Sequence, residues 1–184
     1  MKPRRLVIPL LILSGTALVL SACGYFRRGP VGNAAVPLPA RAVDLNRYLG
    51  VWYEIARYEN QFETGCEGVT AEYRLRADGL VQVTNTCRMG SPSGPAKVAV
   101  GRARVVPDSQ DARLKVSFFG PFFGDYWVLD HDPDYAWSIV GEPTGRYLWL
   151  LSRTPAPAEE TRRTILNRAA SLGYDLSLLR QTRH

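Results

Sequence analysis

Between Leu49 and Arg153 the chain repeats one pattern eight times: a short run rich in β-branched and aromatic residues, then a cluster of glycine, proline or aspartate. The runs cover residues 51–58, 69–76, 80–87, 97–106, 113–119, 122–131, 135–141 and 147–153. They have the length and composition of strands. The separators are residues 77–79, 90–95, 107–111, 120–121, 132–134 and 142–145. In such turns Gly and Asp supply positive φ and Pro pre-sets the first position. Links this short make neighbours antiparallel. Eight such strands can close on themselves, removing the edges and leaving room for one small ligand. The expected fold is all-β, an eight-stranded antiparallel up-and-down barrel.

After the last run, Thr154-Pro155-Ala156-Pro157 breaks the strand pattern. Residues 158–172 then take helical spacing, with Thr161, Ile165, Ala169 and Leu172 on one face and Leu166 beside it. Glu159 and Glu160 sit where the helix dipole favours acids, and Gly173 is placed for a C-cap. A one-sided helix of this kind is expected against the barrel wall.

The N-terminus carries a different message. Lys2, Arg4 and Arg5 precede an apolar stretch over residues 6–20, interrupted by Pro9, Ser14 and Gly15. The stretch falls short of the ~20 residues of a spanning helix and reads as a secretory signal. Leu20-Ser21-Ala22-Cys23 resembles the lipobox of bacterial lipoproteins. That resemblance implies cleavage before Cys23, a diacylglycerol on its sulfur and an acylated amine. Each buried methylene adds ~0.8 kcal/mol of membrane affinity, so several chains hold firmly. Gly24 rather than Asp after the Cys implies, by the same resemblance, the outer membrane. Residues 1–22 are thus expected as signal, 23–41 as an anchored spacer rich in Gly, Pro, Ala and Val, and 42–184 as the folded domain. Without Lys2, Arg4 and Arg5 the formal charge falls from +6 to +3, too mild to argue for nucleic acid.

Two cysteines remain, Cys66 and Cys87, a disulfide candidate in an exported chain. Pairing about the turn at residues 77–79 misses direct opposition by about three residues, an offset that a bulge or a flexible loop can absorb. No CxxC motif or Cys/His cluster points to a metal site, and no cofactor motif appears.

Three local patterns resemble the lipocalin family, and its bacterial outer-membrane members best. They are Gly50-Val51-Trp52-Tyr53-Glu54 at the first strand, Asp125-Tyr126-Trp127-Val128-Leu129-Asp130 with Asp134-Tyr135 at the sixth, and Tyr147-Leu148-Trp149-Leu150-Leu151-Ser152-Arg153 at the last. The resemblance runs from about Ala42 to the C-terminus. It implies a cup that encloses a fatty acid or lysophospholipid, for lipid transport or envelope maintenance, with a homodimer within the family's range. The physics of the first and third motifs stands independently. Trp52 enters the first strand where Gly50 lets the backbone turn closely, and Arg153 ends the neighbouring last strand. Its guanidinium can cover the indole, worth ~0.5–2 kcal/mol, while its N–H groups hold carbonyls of the crossing segment. This pair is expected to plug the base and to be structural.

If the chain enters at the base, the links at residues 59–68, 88–96, 119–122 and 142–146 form the mouth. The mouth then carries Phe118-Phe119-Gly120-Pro121-Phe122-Phe123 at a loop tip, where polar residues are usual. Either some rings turn inward as core, or the run is a greasy lip for lipid, membrane or a second copy. With Trp52 inward, alternation puts Glu54, Ala56 and Tyr58 on its face unless a bulge intervenes. A carboxylate there must find a partner; Glu54 is expected to pair with an arginine or to contact an amine or hydroxyl of a ligand head. The other cavity candidates are Tyr73, Val83, Val100, Phe118, Tyr126, Val128, Ile139 and Trp149.

Three functions compete: a binding module, a structural envelope lipoprotein with a filled barrel, and an enzyme. Neither histidine, His131 or His184, stands in a recognisable nucleophile or metal arrangement, and no hydrolase or phosphate-loop motif is present. The expectation is a binding module, not an enzyme, tethered by Cys23 at the outer membrane on its periplasmic side.

Overall fold

The computed structural model describes residues 29–184. The expected signal peptide and the expected lipid attachment at Cys23 therefore lie outside the described residues. Eight strands close into an antiparallel barrel: β1 (Gly50–Tyr58), β2 (Cys66–Leu75), β3 (Val81–Met89), β4 (Ala96–Val105), β5 (Arg113–Phe119), β6 (Phe122–His131), β7 (Trp137–Gly141) and β8 (Leu148–Ser152). Each pairs with the next, and β1 meets both β2 and β8 to close the ring. Helix α1 (Leu45–Tyr48) crosses under the base, and α2 (Glu159–Ser171) follows the barrel. A ninth strand, β9 (Leu179–Gln181), pairs with the upper half of β1 through Ala56↔Gln181 and Tyr58↔Leu179. Neither α1 nor β9 is expected from the sequence.

Strand alternation splits the apolar residues into two cores separated by the wall itself. Trp52, Tyr73, Val83, Ala103, Leu114, Val128, Val140 and Leu151 face inward. Ile55, Leu129, Ile139, Leu148 and Leu150 face outward and are covered by Ile165, Ala169 and Leu172 of α2. This is the face the helical spacing predicts. The helix ends at Gly173, whose φ of +93° few other residues adopt, and its Arg168 meets the buried Asp130 of β6.

The spacer differs from expectation in its described part. Residues 29–41 lie along the outer wall rather than free of it. Gly32 and Asn33 donate backbone N–H groups to the Gly145 carbonyl, and Asn33 Nδ2 donates to the Leu172 carbonyl at 2.9 Å. Farther down, Ala40 N–H bonds the Leu129 carbonyl and Arg41 pairs with Asp130 at 2.7 Å. The composition gives extended backbone, but its polar groups find fixed partners on the barrel.

Candidate ligand-binding site

The base is closed by an interlocked cluster. The Arg153 guanidinium lies 3.8 Å over the Trp52 ring and donates to the carbonyls of Val51, Arg47 and Tyr48. Trp52 Nε1 donates to the Tyr48 carbonyl at 2.8 Å, which ties the indole to the crossing helix. Asp44, the N-cap of α1, receives the Asn46 N–H and sends its own N–H to the Tyr135 hydroxyl. His131 stacks on Tyr135 at 4.3 Å, with its ring nitrogens facing the carbonyls of Asp132 and Ala42. That geometry gives His131 structural partners and no nucleophile.

Above this plug the floor of the cup is a tyrosine layer. The Tyr126 hydroxyl meets those of Tyr73 at 2.8 Å and Tyr48 at 3.1 Å, and Tyr48 also meets Ser138 Oγ. Burial raises the pKa of all three phenols, so they remain neutral hydrogen-bonding groups.

The wall above the floor opens. On β4 the inward positions read Lys97, Ala99, Gly101 and Ala103, in register with Cys87, Asn85, Val83 and Val81 of β3. Ala103 is buried, yet Ala99 is exposed, although it shares that inner face. Val98 and Val100 on the other face are exposed too. This segment of β4 runs past its pairing with β5, which covers only Arg102–Val105, and the Phe118 ring lies against Gly101, within 3 Å of where a Cβ would stand. Phe118 and Val116 of the adjoining β5, Tyr126 of β6 and Trp149 of β8 each pack partly against the inner core.

Glu54 shows what the bulge in β1 does. The register with β8 slips between Glu54 and Ala56. The extra residue reverses the alternation, so Ala56 and Tyr58 join the outer core and Arg57 turns inward. Arg57 is fully buried and donates Nη1 to Glu54 Oε1 at 2.7 Å. Thr182 also bonds that oxygen, while Glu54 Oε2 is buried without a partner. Burial pushes the Glu54 carboxyl well above the usual carboxylate range; the nearby Glu63 adds to this and Arg57 opposes it. The expected arginine partner is therefore present, three residues along the same strand. Glu63 accepts from Trp149 Nε1 at 2.9 Å and so ties the first mouth loop to the inner wall.

Of the other sequence candidates, Tyr73, Val83, Phe118, Tyr126, Val128 and Trp149 all lie on the inner wall or pack against its core. Two do not. Val100 points outward and is 59% exposed, because Gly101 and Ala99 hold the inner positions of β4. Ile139 is buried, but in the outer core beneath α2. Residues 135–136 precede β7 in a turn, with Tyr135 at φ +61°. Sequence reasoning missed Arg57, Asn85 and Lys97. Lys97 had a readable signal, a cation at the mouth end of an alternating strand.

Cys66 and Cys87 are bridged, with Cα atoms 5.3 Å apart. A bulge in β2 between Glu67 and Thr70 sets Cys66 opposite Met89. It thereby takes one residue from the expected offset and leaves a diagonal that a disulfide spans. The bridge joins the first and second mouth hairpins.

The architecture has clear relatives. Residues 43–184 match the family model described as a lipocalin-like domain. The chain is 40% identical over 164 residues to the outer membrane lipoprotein Blc of Vibrio cholerae, covering 89% of this chain and 95% of that one. It is 38% identical over 177 residues to the outer membrane lipoprotein Blc of Escherichia coli, covering 93% of each. Insecticyanin from Manduca sexta superposes with a TM-score of 0.62 at 21% identity, over 85% of this chain and 87% of that one, and so shares the fold.

Proposed function

This chain belongs to the lipocalin family, whose members are typically binding proteins, and on that premise we propose that it holds a single-chain amphiphile, a fatty acid or lysophospholipid, in the barrel. The observation that carries the reading is a closed barrel sealed at its base by Trp52 and Arg153, with small and aromatic side chains on the inner wall above the tyrosine floor. The acyl chain lies along the inner wall beside Ala99, Phe118, Val116 and Trp149, where apolar burial supplies most of the affinity. The acidic head stays at the mouth, near Lys97 on the inner face of β4. Glu54 is engaged by Arg57 and is assigned to structure rather than to the head.

Cys23 carries the anchor, and the outer membrane is its site; both relatives named above are outer membrane lipoproteins. The barrel is assigned to the periplasmic side, handling lipid for transport or envelope maintenance. The test is native mass spectrometry of the chain without its lipid, produced in bacteria, with identification of any bound lipid. A co-purifying amphiphile, displaced by a fluorescent fatty acid at micromolar levels, is expected. Lys97→Ala should weaken that binding by about tenfold, the value of one charged contact of ~1.4 kcal/mol. An empty barrel that takes no fatty acid favours the filled structural reading instead.

A further inference from the structure

Three observations about the mouth converge. The first is where the tether leaves. The Gly29 carbonyl accepts from Arg146 Nη1, and a Cβ on Gly29 would lie 3.6 Å from the Glu59 carbonyl. Arg146 and Glu59 belong to mouth loops, so the described chain begins at the rim. Cys23 is only six positions earlier. At ~3.3–3.6 Å per extended residue, that tether reaches about 20 Å at most. A ten-residue strand such as β6, at ~3.3 Å per residue and tilted by ~40°, stands about 25 Å from rim to base. A tether attached at the rim and shorter than the barrel cannot turn the base toward the membrane.

The second observation is apolar. Phe119 and Phe122 at the tip of the β5–β6 hairpin are 79% and 77% exposed, and Phe62 on the first mouth loop is 61% exposed. The third is electrostatic. Arg102 and Arg104 stand behind this tip, 5.7 and 5.0 Å from the Phe123 ring centre. The acids of the rim are engaged elsewhere. Glu59 and Glu63 face Arg57, Arg180 also reaches Glu59, and Glu142 caps its own loop through the N–H groups of Thr144 and Arg146. Asp125 pairs with Lys115 at 2.7 Å. An apolar tip backed by unopposed guanidinium groups matches the order of chemistry in a bilayer, acyl chains below anionic headgroups.

We propose that the rim is a membrane-docking face: the barrel stands mouth-down on the bilayer that holds its anchor, with Phe119 and Phe122 in the lipid interface. This rests on the anchoring of Cys23 assigned above. The amphiphile then enters the cup from the bilayer without crossing water.

The full lipidated protein, reconstituted in phosphatidylethanolamine and phosphatidylglycerol vesicles with brominated acyl chains, tests this. Phe119→Trp places a reporter at the tip, and Leu75→Trp places one at the opposite end of β2, where Leu75 is 54% exposed. The added emission of Phe119→Trp should be largely quenched and that of Leu75→Trp retained. The intact mass of the same sample reports the acyl chains. If they are missing, the anchor falls and takes the proposal with it. If they are present and the two reporters are quenched equally, or Leu75→Trp more, the orientation alone is overturned. An unquenched Phe119→Trp in a dimer that Phe119→Ser dissociates would assign the tip to a second copy instead.

Discussion

The two ends of the barrel solve opposite problems with similar residues. At the base, aromatic rings and cations are locked together. Trp52 lies beneath Arg153, His131 stacks on Tyr135, and their polar atoms meet backbone oxygens. Toward the mouth, Glu54 Oε2, Arg57 Nε and Asn85 Oδ1 are buried without hydrogen-bond partners, and Phe119 and Phe122 face outward. The base is arranged for stability. The mouth keeps unmet polar groups and apolar surface, which is what a place of encounter requires and what a stability optimum would remove.

Deleting the plug should produce the largest effect. Trp52 is fully buried, and Trp52→Ala should cost about 3–5 kcal/mol in urea unfolding, since a cavity opens beside Tyr48 and the Arg153 guanidinium loses its platform. An equal loss from Phe119→Ala would erase the contrast between the two ends. Next comes the bridge. Cys66→Ser with Cys87→Ser opens a loop of 21 residues and should cost about 3 kcal/mol on the chain-entropy view. Faster amide exchange should follow at the mouth loops, with the base unchanged.

The smallest effect, taken per pH unit, is a pH slope. In the folded chain the Glu54 carboxyl is raised to about 8, first by burial and then by Glu63, against an ordinary value of 4.5. Between those values the folded state keeps a proton that the unfolded state has released. Stability should therefore fall as pH rises from about 5 to 8, by at most about 1.4 kcal/mol per unit. Glu54→Gln, which cannot ionise, should flatten that slope in pH-dependent thermal melts. A slope that survives the substitution places its origin elsewhere.

Much of the fold was legible because it rests on local chemistry. The strand periods, the turns and the covered face of α2 are written in neighbouring residues. What was not legible depends on partners distant in sequence. The bulge that turns Arg57 inward exists to fit β1 against β8, and nothing in Glu54-Ile55-Ala56-Arg57 announces it. Val98 and Val100 have the composition of inner-wall residues, and the smaller Ala99 and Gly101 give no sign that they hold the inner positions. Ile139 lies on a strand buried on both faces, where alternation in hydrophobicity disappears. Residues 29–41 look like a free spacer until Leu172, Leu129 and Asp130 supply their partners. At the site, the aromatic candidates were legible as inner-wall residues, whereas Asn85 and Lys97 gain meaning only from the register that turns them inward.

The proposed ligand site inside the barrel is tested most directly with a fatty acid brominated along its chain. Trp149 lies on the inner wall, and Trp137 lies in the outer core beneath α2. The brominated acid should quench the parent protein, and Trp149→Phe should lose most of that quenching while Trp137→Phe keeps it. Quenching that survives Trp149→Phe and disappears in Trp137→Phe would put the ligand outside the barrel and contradict the account.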